Sequence, residues 1–124
     1  MIDVGIHGST GRVGQLLIEN LKGSKEAQVK IAHAIEEFTF SVDKNVIITN
    51  STEELLKNSS VVIDFTLPMG TESLLEAALK NPKPLVIGTT GLSPHQQNLL
   101  KKASEMMPIL YATNMSLGVA VLNK

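Results

Sequence analysis

Short runs of β-branched and other apolar residues alternate along this chain with longer stretches in which apolar residues recur every three or four positions. The short runs are Ile2–His7, Val29–Ile35, Val46–Thr49, Val61–Thr66, Leu85–Gly88 and Ile109–Ala112, and they read as strands. Several are apolar almost throughout, as strands covered on both faces are. The longer stretches read as helices. In Arg12–Lys22, Val13, Leu16, Leu17 and Leu21 share one face, and Gly23 follows as a stop. Ser51 to Glu54 has capping-box spacing ahead of Leu55 and Leu56. Leu74, Leu75 and Ala78 form a stripe on a helix after Gly70. Ser93, Pro94 and Gln96 supply an N-cap, a first-position proline and its N3 partner. Leu99, Leu100, Ala103, Met106 and Met107 then line one face until Pro108. The order β-α-β-β-α-β-α-β-α-β predicts an α/β fold. It is a doubly wound parallel sheet with right-handed crossovers, in three layers α/β/α.

Composition narrows the function. A length of 124 residues fits one domain, and 43% apolar with 3% aromatic residues means a core of Ile, Leu, Val, Ala and Met. Eleven basic against twelve acidic side chains leave a net charge of −1, which excludes nucleic-acid binding through a bulk positive field. Without cysteine there is neither a disulfide framework nor a thiolate metal site. His7, His33 and His95 lack metal-ligand spacing, so no metal is expected. His7 and His33 sit among apolar strand residues and read as structural, His95 as solvated, Asp3 as exposed, and Met106 and Met107 as core filling. No signal-peptide pattern follows Met1, and the longest uninterrupted apolar stretch, Leu117–Leu122, has six residues. The expectation is a soluble, cytoplasmic chain without a membrane partner. Residues 116–124 read as the first turns of a helix that stops, with Leu117, Val119, Val121 and Leu122 in need of cover, as in a fragment of a longer protein.

The chemistry concentrates where strands end. The first strand runs into Gly8, Ser9, Thr10, Gly11, Arg12, Val13 and Gly14, a G-x-x-G-x-x-G between a strand and a helix. Gly8 permits the tight turn, Gly11 the approach of backbone amides to a diphosphate, and Gly14 close helix–strand packing. This is the context of a Rossmann-like dinucleotide site, although the same glycines also suit a turn that holds no ligand. Arg12 adds charge to a phosphate site or lies solvated in a first helical turn. Glu36 stands 22 residues after Gly14, where an acid accepts hydrogen bonds from the adenosine ribose. Glu37 follows it, and no Lys or Arg lies in the next few residues to meet a 2′-phosphate, so NADH is expected over NADPH. A solvated acidic loop is the alternative reading. Asp64 to Pro68, Gly88 to Gly91 and Ala112 to Ser116 fall at the other strand ends. Singly each suits a turn; together they form one rim.

The segments beginning at Gly8, at Asp64 (Asp-Phe-Thr), at Val86 (Val-Ile-Gly-Thr-Thr-Gly) and at Asn114 (Asn-Met-Ser-Leu-Gly-Val) resemble, in order, those of dihydrodipicolinate reductase. That family reduces a cyclic dicarboxylate intermediate of the diaminopimelate–lysine pathway with NAD(P)H, giving tetrahydrodipicolinate. The resemblance implies that Gly8, Ser9, Thr10, Gly11, Arg12 and Val13 hold the diphosphate and Glu36 the adenosine ribose. Phe65 and Thr66 would lie near the cofactor, and Gly88, Thr89 and Thr90 near its nicotinamide. Ala112, Thr113, Asn114 and Met115 would meet the nicotinamide through backbone groups, and Thr90 would also reach the substrate. Glu37 and Leu67 stand where some members carry Arg, and Met115 replaces the commoner Phe. The family's histidine-rich catalytic motif, with its lysine general acid, lies beyond the equivalent of Lys124, so no catalytic residue is expected here. The resemblance further implies a whole protein that is a homotetramer. The 124 residues would be the nucleotide-binding domain alone, a monomer or weak dimer that binds cofactor without turnover.

Two rivals are weighed. Short-chain dehydrogenases share the glycine spacing but need Tyr-x-x-x-Lys, and four residues after the single tyrosine, Tyr111, stands Met115. A nucleotide- or CoA-binding regulatory module without chemistry stays open.

Overall fold

The computed structural model describes residues 2–8, 25–33 and 46–111. Six strands, β1 (Ile2–His7), β2 (Ala27–His33), β3 (Ile47–Thr49), β4 (Val61–Asp64), β5 (Leu85–Ile87) and β6 (Ile109–Tyr111), form one sheet in the order β3-β2-β1-β4-β5-β6. Every pairing is parallel. This is the expected Rossmann-like α/β sheet. Strand order reverses direction between β1 and β4, and the crevice outside the carboxyl ends there is where such sheets bind ligands.

Three helices accompany the described strands: α1 (Thr52–Lys57), α2 (Pro68–Lys80) and α3 (Pro94–Ser104). Helix α2 packs against both α1 and α3, so the three make one layer on the sheet. The helix expected over Arg12–Lys22 lies outside the described residues, as does the tail 116–124. Leu55 and Leu56 from α1 and Leu74, Leu75 and Ala78 from α2 are wholly buried, joined by Ile31, Val62 and Ile87 from the sheet. Each such leucine contributes about 1.5–3 kcal/mol on burial. No described helix is long and apolar enough to cross a membrane.

Local signals explain most element boundaries. Ser93 accepts from the Gln96 amide and Gln96 returns a bond to the Ser93 amide, a complete capping box with Pro94 behind it. At Ser51 only half the box forms. Its hydroxyl accepts from the Glu54 amide, while the Glu54 carboxylate accepts from Thr49 Oγ1 at 3.3 Å instead. Strand β4 stops at Asp64 rather than Thr66, because the Asp64 carboxylate captures the Thr66 amide and turns the chain out of the ladder. Helix α2 begins at Pro68, which places Gly70 inside its first turn. Helix α3 ends at Ser104, before Pro108. Met107 is therefore buried but Met106 is 53% exposed, against the expectation that both fill the core. Asp3 is partly buried rather than exposed, and accepts a bond from Gln28 at 2.8 Å.

Candidate functional site

Parallel register lines up the last residue of every strand. Thr49 pairs with His33, His33 with His7, His7 with Asp64, Asp64 with Ile87 and Ile87 with Tyr111. The sheet's carboxyl edge is thus a row of Thr, His, His, Asp, Ile and Tyr. The turn residues Gly8, Phe65 and Gly88 stand one step beyond it.

Asp64 is the electrostatic centre of this edge. It is fully buried, so its charge must be paired and hydrogen-bonded. Its Oδ1 accepts from His7 Nδ1 at 2.9 Å, the Thr66 amide at 3.1 Å and Thr66 Oγ1 at 2.7 Å. Its Oδ2 accepts from Thr71 Oγ1 at 2.6 Å. Thr71 Oγ1 also lies 2.6 Å from Thr89 Oγ1. A hydroxyl has one proton; given to the carboxylate, it leaves Thr89 as donor of the second bond. The hydroxyls of Thr66, Thr71 and Thr89, from the turn after β4, from α2 and from the β5 end, are thereby oriented by one carboxylate. No buried side-chain nitrogen or oxygen among the described residues lacks a partner.

The two histidines stack beside it, ring centroids 4.4 Å apart and tilted by 36°. Burial, and next the neighbouring His7, lower the His33 pKa to about 4; a hydrogen bond with the Asn50 backbone and the Asp64 charge oppose this. His33 is therefore neutral near pH 7.

The turn after β1 is shaped by these residues. Gly8 has φ +82°, and its amide donates to the His33 carbonyl at 3.1 Å. A Cβ there would stand 2.5 Å from the Thr66 methyl. Thr66, its hydroxyl held by Asp64, closes on the turn with that methyl. The Phe65 ring lies against Gly88, where any Cβ would overlap it. Beyond β5, Thr89 is buried, Thr90 exposed and Gly91 at φ +77°.

Among the residues singled out from sequence, the fold brings Gly8, Phe65, Thr66, Gly88, Thr89 and Thr90 to one edge. Thr89 points its hydroxyl inward, so only its backbone and its neighbours face outward. Ser9, Thr10, Gly11, Arg12, Val13, Glu36, Ala112, Thr113, Asn114 and Met115 lie outside the described residues. Sequence reasoning missed the joint role of His7, Asp64 and Thr71. The available signal was an acid closing the apolar run Val61–Ile63, with threonines two and seven positions on. No group of three or more metal-ligating side chains gathers among the described residues.

A strand–glycine turn closed by a β4-end threonine, at the switch point of a parallel sheet, is the frame of a dinucleotide site. The family model "Dihydrodipicolinate reductase, N-terminus" matches residues 2–115. The chain belongs to the dihydrodipicolinate reductase family. It is 56% identical to the 4-hydroxy-tetrahydrodipicolinate reductase of Sulfurimonas denitrificans, over all of this chain and 49% of that protein. It is 52% identical to the enzyme of the same name from Nitratiruptor, over all of this chain and 48% of the relative. The chain thus spans about half the length of the curated relatives it matches. In fold it is similar to the dipicolinate-bound dihydrodipicolinate reductase of Paenisporosarcina sp. TG-14, with TM-score 0.81, 22% identity, and 98% and 50% of the two chains covered. It is also similar to the biliverdin reductase of Synechocystis, solved with biliverdin and NADP+, with TM-score 0.69, 22% identity, and 89% and 37% covered.

Proposed function

We propose that this chain is the nucleotide-binding part of a 4-hydroxy-tetrahydrodipicolinate reductase and takes NADH in preference to NADPH. The observation that carries the reading is the Gly8 turn. Its positive φ and the Thr66 methyl that would meet any Cβ make position 8 one that only glycine fits, at the switch point of the sheet. The amides that follow Gly8, through residue 13, hold the diphosphate, and Glu36 accepts hydrogen bonds from the hydroxyls of the adenosine ribose. Glu36 and Glu37 together repel a 2′-phosphate, which sets the preference for NADH. Phe65, Thr66 and the segments Gly88–Thr90 and Ala112–Met115 receive the nicotinamide half. The reduced nicotinamide supplies a hydride when bound, and the chain's contribution is to hold it against the cyclic dicarboxylate, with Thr90 reaching that substrate. The whole protein assembles as a homotetramer that gives tetrahydrodipicolinate.

Calorimetric titration of the chain tests this. One NADH binds per chain, more tightly than NADPH. Absence of binding by either dinucleotide overturns the reading, and tighter NADPH binding overturns the role given to Glu36 and Glu37.

A further inference from the structure

Thr89 is gripped from two independent directions. Its hydroxyl bonds Thr71 Oγ1 at 2.6 Å, which in turn bonds the buried Asp64 carboxylate. Its carbonyl accepts from the Tyr111 hydroxyl at 3.2 Å, across from the end of β6. One step earlier, the Gly88 amide donates to the Asp64 carbonyl at 2.8 Å, and the Phe65 ring covers the Gly88 backbone. The segment after β5 therefore has a fixed half and a free half. Gly88 and Thr89 are tied to β4, α2 and β6, whereas Thr90 is exposed and a Cβ added at Gly91 would stand in open space.

Tyr111 is 37% exposed as a residue, and its bond to Thr89 is partly buried. Its reach to a neighbouring strand's loop backbone links the carboxyl ends of β5 and β6 beyond their ladder.

We propose that Thr89 is the anchor of the nicotinamide-facing segment, and that Tyr111 and Thr71 are its positioning residues. Tyr111 fixes the carbonyl, Thr71 fixes the side chain, and the pair sets where Thr90 stands. Neither needs to touch the dinucleotide. Binding of the nicotinamide half then draws on a segment already ordered, so its ordering cost is not charged to the ligand. The adenosine half, held at the opposite side of the switch point, does not depend on the clamp. The inference rests on the dinucleotide reading above and adds which residues act on which half of that ligand.

The test compares NADH with ADP-ribose, which lacks the nicotinamide, on the wild-type chain and on Tyr111→Phe and Thr89→Val. Tyr111→Phe removes one partly exposed hydroxyl, and Thr89→Val keeps the shape of the side chain. Tyr111→Phe is expected to weaken NADH roughly fivefold, the size of one neutral hydrogen bond. Thr89→Val is expected to weaken it roughly tenfold, because the segment loses its buried side-chain bond to Thr71, which keeps its bond to Asp64. ADP-ribose affinity is expected to stay within about twofold of wild type, a difference of under half a kilocalorie. Equal losses for both ligands would mean a merely structural role and overturn the proposal, as would NADH affinity unchanged in both variants. If the wild-type chain bound neither ligand, the dinucleotide reading itself would fail, a separate result from failure of the clamp.

Discussion

Replacing Asp64 separates two ideas about the sheet edge: that a carboxyl group fills space there, or that an acceptor gathers four donors. Asp64→Ala removes the acceptor from His7 Nδ1, the Thr66 amide, the Thr66 hydroxyl and the Thr71 hydroxyl at a site with no solvent access. Breaking such a buried network costs about 3–5 kcal/mol, a large share of the 5–15 kcal/mol typical of a domain. Asp64→Asn should behave differently. Its amide oxygen takes the Oδ1 place, where three donors meet and the backbone amide has no alternative. Its NH2 takes the Oδ2 place, where Thr71 turns to accept and passes its own proton to Thr89. Every partner stays bonded, and the loss reduces to the charge-assisted part, about 1–2 kcal/mol. Urea unfolding followed by far-ultraviolet circular dichroism reads both. With a slope near 2 kcal/mol per molar, the midpoint falls by about 2 M for the alanine variant and by under about 1 M for asparagine. Equal losses for the two variants would refute the bonding scheme, as would an alanine variant costing under about 1 kcal/mol.

Gly8→Ala places a Cβ against the Thr66 methyl at φ +82°, so the variant should lose about 1–3 kcal/mol of stability and bind NADH at least tenfold more weakly, checked by melting and titration. Gly88→Ala drives a methyl into the Phe65 ring and should lower both stability and NADH affinity, whereas Phe65→Leu in the same background should recover part of the stability. His33 has a folded pKa of about 4, below its unfolded value, so the unfolded chain binds more protons between pH 6.5 and 4. Stability is then present above pH 6.5 and declines as pH falls through that window; in His33→Gln the urea midpoint should fall less over the same range. Glu37→Arg should shift the NADPH-to-NADH affinity ratio at least tenfold towards NADPH in paired titrations.

The layer order was legible because strands and helices differ in apolar period. Ile2–His7 matches β1 residue for residue, and Ser93 with Gln96 forms the box its spacing promised. What was hidden depended on register. His7, His33 and Asp64 are far apart in sequence and become neighbours only because three parallel strands end level. Asp64 read as a turn residue, because its donors come from β1, from the next turn and from α2. Met106 and Met107 read alike, since the periodic pattern continues past Ser104 while the helix does not. Thr89 and Thr90 were likewise indistinguishable as adjacent threonines, and only the fold turns one inward and leaves the other exposed. Glycine at position 8 was legible in the sequence, because its positive φ and the absence of room for a Cβ demand that residue type.

A crystal structure of the chain with saturating NADH tests the central claim most directly. The account predicts the diphosphate on the amides that follow Gly8, the adenosine ribose on Glu36, and the nicotinamide towards Gly88–Thr90. A dinucleotide bound elsewhere, or a turn after β1 that stays filled by its own chain at saturation, would contradict it.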